Sequence, residues 1–459
     1  MLLKKLGISF KGNMLPFFTA FAVSLFGQDY SLNECIQIAL SQKKTVLSAS
    51  LEVLSAEKGV KASFSGVLPS IQAVTNATQS HFPSREVIGY DLNSLADINF
   101  LDPQIPLDTT VSNSFINLSA GVLLSQLIYD GGRSRTQIQQ AKTNLDIAKL
   151  NQRLIKTNVI QKVIQSYYNL LQAKKLYDVS EKNLEMSESQ VDLVKQQFEL
   201  GAVKKTDLLK ANVANGQARV DVLNKKVNYE NSRRVLFNDM GLQDFGQEII
   251  AADDEWVPPL IPSKTEILIS LKNNNPSIAI SKQQIKILDL SYKLAKGLRK
   301  PLINSSLNYS ANGENSKELI DSFQDDWSLG LNVSFSIPIY SGNSLSTQQQ
   351  QTLLSKQQSE HSYITLLNDL RVQAELIRET LTNYTEIIPI NQDIVFSAEE
   401  DLKLVTKRYS LGSATILEVL DAQVSLMRSK SSLINIIHDA RIQEASLNAI
   451  LGVLDGKYQ

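Results

Sequence analysis

Residues 118–131 read LSAGVLLSQLIYDG, and residues 329–342 read LGLNVSFSIPIYSG. In the second stretch, extended back to Trp327, the alternation is strict. Trp327, Leu329, Leu331, Val333, Phe335 and Ile337 fall on one side; Ser328, Gly330, Asn332, Ser334 and Ser336 fall on the other. Side chains alternate across a β-strand, so this period of two predicts a strand with one apolar and one small, uncharged face. The first stretch repeats the pattern. Ile116, Leu118, Ala120, Val122 and Leu124 face one way, and Asn117, Ser119, Gly121 and Ser125 face the other, with Leu123 the exception.

The two stretches belong to a longer duplication. Tyr129 aligns with Tyr340 and Gly131 with Gly342, an offset of 211. Residues 195–213 (KQQFELGAVKKTDLLKANV) and 406–424 (TKRYSLGSATILEVLDAQV) keep that offset, aligning Gly201 with Gly412 and Leu209 with Leu420. Residues 36–47 also resemble 267–278, at an offset of 231, and Pro69 matches Pro301. The first half therefore carries extra residues around 80–112, where Asp, Asn and Pro predict a loop.

Between the strands and the glycines the chain is almost free of helix breakers. Residues 133–199 contain no Gly or Pro, and 344–410 contain only Pro389, where a kink is expected. Each stretch can form one helix about 100 Å long at 1.5 Å per residue. Gly201 and Gly412 stand where C-caps belong. Apolar residues at three- and four-residue steps, such as Leu145, Ala148, Ile155, Val159 and Val163, form a coiled-coil-like stripe.

The expected organisation is a signal peptide (1–27), a first repeat (28–241), a linker (242–264) and a second repeat (265–459). The first repeat holds a helix, strand 66–79, loop 80–112, strand 113–129, helix 133–199 and helix 203–241. The second holds a helix, strand 301–311, loop 312–326, strand 327–340, helix 344–410 and helix 414–452. The signal segment is read from Lys4, Lys5 and Lys11, followed by the apolar Met14–Phe26 and the small Gly27. That apolar run is shorter than the ~20 residues a spanning helix needs.

Composition excludes several classes. With 46 basic and 47 acidic residues the formal charge is −1, which gives no support for a nucleic-acid partner. The single cysteine, Cys35, allows no intramolecular disulfide and reads as a packing residue. His81, His361 and His438 lack metal-ligand spacing. No phosphate loop and no nucleophile elbow is present, so no catalytic residue, metal or cofactor is expected. The acidic group Glu314, Glu318, Asp321, Asp325 and Asp326 is expected to face outside the cell.

Strands of ten residues or more can cross a bilayer when tilted. Four of them cannot close a barrel, and an open edge is not tolerated in lipid. The chain must therefore oligomerise; three copies supply twelve strands.

These residues resemble the TolC-like outer-membrane efflux proteins over nearly the whole mature chain. The resemblance rests on SQLIYDGG at 125–132, on the doubled F/Y-x-x-G-x-x-x-x-x-D/E-x-L motif at 198–209 and 409–420, and on ALSQKK and SLKNNNP near the start of each half. It implies a mostly α protein with β: a tandem-duplicated α/β-barrel chain with four transmembrane β-strands and long antiparallel coiled-coil helices. As a homotrimer this closes into a 12-strand β-barrel in the outer membrane of a Gram-negative bacterium, above an α-helical tunnel in the periplasm. Residues 242–264, with Trp256, Pro258, Pro259 and Pro262, would form an equatorial belt. The implied partners are a periplasmic adaptor, an inner-membrane RND or ABC-type transporter, and outer-membrane lipid. The implied function is a passive exit duct for drugs, metals or other small molecules. An outlet for a type I protein secretion system is the alternative, and a non-transport periplasmic coiled-coil protein is a third class.

The resemblance also implies site residues. The turns at Gly201 and Gly412 would stand at the periplasmic entrance and take part in adaptor docking. Glu418 and Asp421, three apart on one helical face, would form stacked acidic rings that attract cations. Thr206, Asp207 and Tyr409 match positions that hold the closed state. A basic residue used for closing in some members is replaced here by Ala414; Lys204 or Lys205 is the candidate substitute.

Overall fold

The computed structural model describes residues 30–81, 114–243 and 257–458. The signal segment expected over 1–27, nearly all of the loop expected over 80–112 and the middle of the linker expected over 242–264 lie outside the described residues. The chain divides into two compact units, one of residues 1–39, 163–258 and 390–438, the other of residues 40–162, 259–389 and 439–459. Among the described residues no helix is long and apolar enough to cross a membrane.

In chain order the elements are α1 (Leu32–Gln42), α2 (Lys44–Ser63), β1 (Ser70–His81), β2 (Ser114–Tyr129), α3 (Arg133–Glu199), α4 (Lys205–Met240), α5 (Lys264–Asn274), α6 (Pro276–Gly297), β3 (Leu302–Gly313), α7 (Ser316–Asp325), β4 (Trp327–Ser336), α8 (Ser344–Ser410) and α9 (Ile416–Ile450). Three differences from the sequence expectation stand out. The segment before each first strand is two helices rather than one, broken at Lys43 and at Asn275, with Pro276 at the first turn of α6. The stretch expected as a loop over 312–326 contains α7. The strand expected to run to 340 ends at Ser336, because Pro338 has no N–H to give a ladder. α8 continues through Pro389.

The second unit contains a four-stranded antiparallel sheet of order β1-β2-β3-β4. Its register aligns the faces of all four strands. Ile71 stands opposite Leu124, Leu124 opposite Leu307, and Leu307 opposite Leu331. Ala73, Val122, Tyr309 and Leu329 form a neighbouring row on the same side. Ser70, Ser125, Ser306 and Asn332 form a row on the other side that is polar throughout. A one-residue slip at any ladder would mix the two faces. The apolar face is left uncovered: Ile71, Leu331, Val333 and Phe335 are all more than 60% exposed. Soluble monomers rarely leave such a contiguous patch.

The SQLIYDGG segment turns β2 into α3. Gly131 and Gly132 have φ of 73° and 86°, a left-handed backbone that L side chains disfavour. The buried Asp130 accepts hydrogen bonds from the N–H groups of Gly132 (3.0 Å) and Ser134 (2.6 Å). These bonds satisfy amide groups at the helix start that have no intrahelical partner. Burial opposes ionisation of Asp130, but the bonds from Ser134 and Gly132 outweigh it and hold the carboxyl below its ordinary range. A separate apolar cluster in this unit packs α5 against α8 and α9 through Ile267, Leu271, Ala374, Leu381, Leu447 and Leu451.

Candidate functional site: the paired glycine turns

Both glycine turns lie in the first unit. α3 ends at Glu199, and Gly201 takes φ 73°. The Gly201 N–H donates to Phe198 O, and that of Ala202 to Gln197 O (2.8 Å). This paired closure is a Schellman C-cap, which needs the left-handed residue that glycine supplies. The second turn repeats it: Gly412 has φ 74°, its N–H donates to Tyr409 O, and that of Ser413 donates to Arg408 O (2.9 Å).

One buried cluster holds the two turns together. Val194 from α3, Ala211 from α4, Leu402, Val405 and Tyr409 from α8, and Ile416, Val419 and Ala422 from α9 form it. Ala414 is partly buried against it.

The residues singled out in the sequence take different roles. Glu418 belongs to a capping box. Its carboxylate accepts from the Thr415 N–H and hydroxyl, each at 3.0 Å, while Thr415 Oγ1 accepts from the Glu418 N–H at 3.3 Å. Arg408 Nη2 stands 3.7 Å from the other Glu418 oxygen. The Thr415 bonds lead, with Arg408 contributing, in holding the Glu418 carboxyl below the usual carboxylate range. Asp421, one turn further, is exposed. It lines a groove of ≈ 610 Å³ between α4 and α9, together with Lys210, Leu209, Val213, Leu417 and Val424.

On the first turn, Asp207 accepts a long bond (3.4 Å) from the N–H of Lys204, and Thr206 is exposed. Tyr409 is buried, and its hydroxyl has no hydrogen-bond partner within the described residues. Burial, and then the negative charge of Asp207, push the Tyr409 hydroxyl pKa upward. Asp207 and Tyr409 are thus brought into one electrostatic neighbourhood from opposite turns. Arg408, which the sequence reading did not single out, joins this turn. Its guanidinium donates to Ser413 O (3.1 Å) while reaching Glu418. The Thr-x-x-Glu box at 415–418 was the available signal for the capping role of Glu418.

The profile of the outer membrane efflux protein family matches residues 35–242 and 268–453. The chain belongs to the outer membrane efflux protein family. The two matched segments follow the duplication, one for each half. Among individual relatives, Outer membrane protein TolC of Escherichia coli (strain K12) is 24% identical over 378 residues, covering 77% of this chain and 75% of TolC. Outer membrane efflux protein BepC of Brucella suis biovar 1 (strain 1330) is 23% identical over 339 residues, covering 72% and 71%. The fold is shared with the CmeC outer membrane channel of Campylobacter jejuni (TM-score 0.77, 17% identity, 92% of this chain and 86% of that one). It is shared also with the outer membrane protein VceC of Vibrio cholerae (TM-score 0.75, 15% identity, 92% and 96%). The family is one of outer-membrane channel proteins, so the chain is an efflux protein of the outer membrane.

Proposed function

We propose that this efflux protein is the passive exit duct of a tripartite system. In this reading three copies supply twelve strands and close a barrel, and a periplasmic adaptor links the duct to an inner-membrane RND or ABC-type transporter. The observation that carries the reading is the register of the sheet. It lines up Ile71, Leu124, Leu307 and Leu331, and beside them Ala73, Val122, Tyr309 and Leu329, on one side, and Ser70, Ser125, Ser306 and Asn332 on the other, with Val74 and Leu123 as exceptions on the polar side; a barrel between lipid and aqueous lumen needs such a division. β1 and β4 each have one neighbour in the chain. In lipid their free edges need partners, and copies of the same chain supply them.

The glycine turns are the entrance and the adaptor-docking tips in this proposal. Asp421 is the acidic ring residue, with Glu418 partly engaged in capping. Asp207, Thr206 and Tyr409 belong to the contact that holds the entrance closed, with Arg408 rather than Lys204 or Lys205 as the nearby base.

Outer-membrane fractionation of a strain producing the protein tests the core of the proposal. The expected result is a detergent-resistant trimer in the outer-membrane fraction, with copies of cysteine variants Ser70→Cys and Ser336→Cys cross-linking between chains. A soluble periplasmic monomer would overturn it. Adaptor and transporter co-purification then identifies the partners.

A further inference from the structure

The connection between β3 and β4 contains α7, whose sequence is SKELIDSFQD. Asn315 caps it, its side chain accepting from the N–H groups of Lys317 (3.1 Å) and Glu318 (3.0 Å). At 100° per residue, Leu319, Ile320 and Phe323 share one sector, and Glu318, Asp321 and Asp325 share the opposite one. Leu319 and Phe323 are half-buried, but Ile320 is 65% exposed.

α7 is fixed to the sheet on a definite side. The Phe323 ring lies 5.9 Å from that of Tyr309, which lies 5.7 Å from that of Trp327. Tyr309 Oη donates to Phe323 O (3.1 Å), and Ser322 Oγ donates to Asn312 O (2.7 Å). A Cβ on Gly313 would collide with the backbone of Leu319, so the strand and the helix approach closely. Tyr309 and Trp327 belong to the apolar face, in register with Leu329 and Ala311 respectively. This is the sheet end remote from the helices, because β2 and β4 leave the opposite end toward α3 and α8. The apolar sector of α7 is therefore continuous with the uncovered apolar face of the sheet, at its outer rim.

We infer that α7 is an interfacial helix: its apolar sector, led by Ile320 and Phe323, sits in the headgroup boundary of the outer leaflet and extends the lipid-facing surface beyond the strands. The inference rests on the barrel reading above. The occupant is lipid rather than another protein, because the patch continues the face that the barrel turns to lipid. The acidic sector points away from it, so the attachment is hydrophobic and not a charge attraction to anionic lipid. An amphipathic helix of this kind lies about 5–10 Å into the headgroup–acyl boundary.

The test uses the full chain with single cysteines carrying an environment-sensitive fluorophore. Cys35 is fully buried, and burial pushes its thiol pKa up to about 12, so it does not compete for the label. Ile320→Cys, Asp325→Cys and, on the strand face, Val333→Cys are labelled and reconstituted in zwitterionic phosphatidylcholine vesicles with and without brominated acyl chains. The expected result is a blue shift and bromine quenching at 320 and 333, with neither at 325, unchanged when anionic lipid is added. A label at 320 that is quenched by aqueous iodide and not by bromolipid overturns the inference while 333 remains in lipid. So does a label at 320 shielded from both quenchers. Loss of lipid quenching at 333 instead overturns the barrel reading itself. Ile320→Cys is conservative in size, and Phe323→Cys provides a second position with the same expected outcome.

Discussion

Arg153 grips Asp455 at two points: Nε stands 2.6 Å from Oδ2, and Nη2 stands 3.0 Å from Oδ1. The same guanidinium donates to Gly452 O (2.8 Å) and Asn274 O (3.2 Å). One side chain of α3 thus ties down the turn after α9 and the junction between α5 and α6. Gly452 has φ 70° and faces the Asn274 carbonyl so closely that a Cβ would collide with it.

Arg153→Ala is therefore expected to destabilise this junction. Asp455 is buried while the Arg153 side chain is 38% exposed. The loss is then about 2 kcal/mol, within the range of charge-assisted hydrogen bonds and discounted for solvent screening. Arg153→Lys should recover only part, because an ammonium cannot reproduce the planar fork. Heat dissociation of detergent-resistant trimers measures the order wild type, Lys, Ala. Equal stability of all three would mean that the fork contributes nothing.

The β2–α3 junction and its repeat predict an asymmetric glycine pattern. Gly132 and its counterpart Asn343 both have positive φ, 86° and 63°, and nothing crowds Gly132. Asparagine is the side chain that best tolerates this region. Gly132→Asn should accordingly cost less than about 1 kcal/mol, the lower end of the left-handed penalty. Gly131→Ala should cost more, since its Cβ would stand 2.6 Å from Gly297 O in addition to the backbone strain. Gly342→Ala, at the equivalent place in the second half, meets no neighbour within 4 Å and should behave like an ordinary strained position. Assembled-trimer yield and melting of the three variants rank these costs.

Much of this arrangement was legible in the sequence. Period two assigned the strand faces, because every second residue of β4 and most of β2 obey it without interruption. The absence of Gly and Pro marked α3, and α8 was marked by a stretch whose single breaker, Pro389, does not end the helix. α7 was not legible, because its ten residues lie in an Asp/Asn/Ser-rich segment whose composition favours a turn. The local signals, Asn315 followed by Glu318 and the spacing of Leu319, Ile320 and Phe323, were outweighed by composition. In the second turn, Glu418 is singled out by its charge, by its three-residue spacing from Asp421 and by the family resemblance. Its Thr415 partner three residues earlier also identifies a cap, and Arg408 could be found only by knowing how tightly the Gly412 turn folds back.

That cap predicts a pH response of the second turn. The Glu418 pKa is depressed from its ordinary 4.5 by the Thr415 bonds and by Arg408. A depressed carboxyl contributes stability that is fully present above its unfolded-state pKa and is lost as pH falls through the folded value. The Gly412 turn should therefore loosen only below about pH 4.5, the unfolded-state region for glutamate. Amide exchange across residues 410–418, corrected for intrinsic rates, should rise on acidification in the wild type. Glu418→Gln should remove that pH dependence, and a wild-type turn with pH-independent protection would contradict the capping role.

The same geometry predicts that the two acidic residues differ in their effect on ion selectivity. Glu418 already spends its charge on Thr415 and Arg408, whereas Asp421 is exposed on the groove beside Lys210. Rings of unneutralised carboxylates attract cations, and paired ones do so less. Asp421→Asn trimers in planar bilayers should therefore lose more cation selectivity, and more block by multivalent cations, than Glu418→Gln trimers. The effect of Asp421→Asn should weaken with added salt, because exposed charges are screened over about 8–10 Å at ordinary ionic strength. If Glu418→Gln changed selectivity as strongly as Asp421→Asn, the Glu418 carboxylate would have to face the lumen in the assembled channel, released from its cap. If neither changed it, the selectivity filter would lie elsewhere along the duct, and the exposed Asp421 would be an ordinary solvated residue.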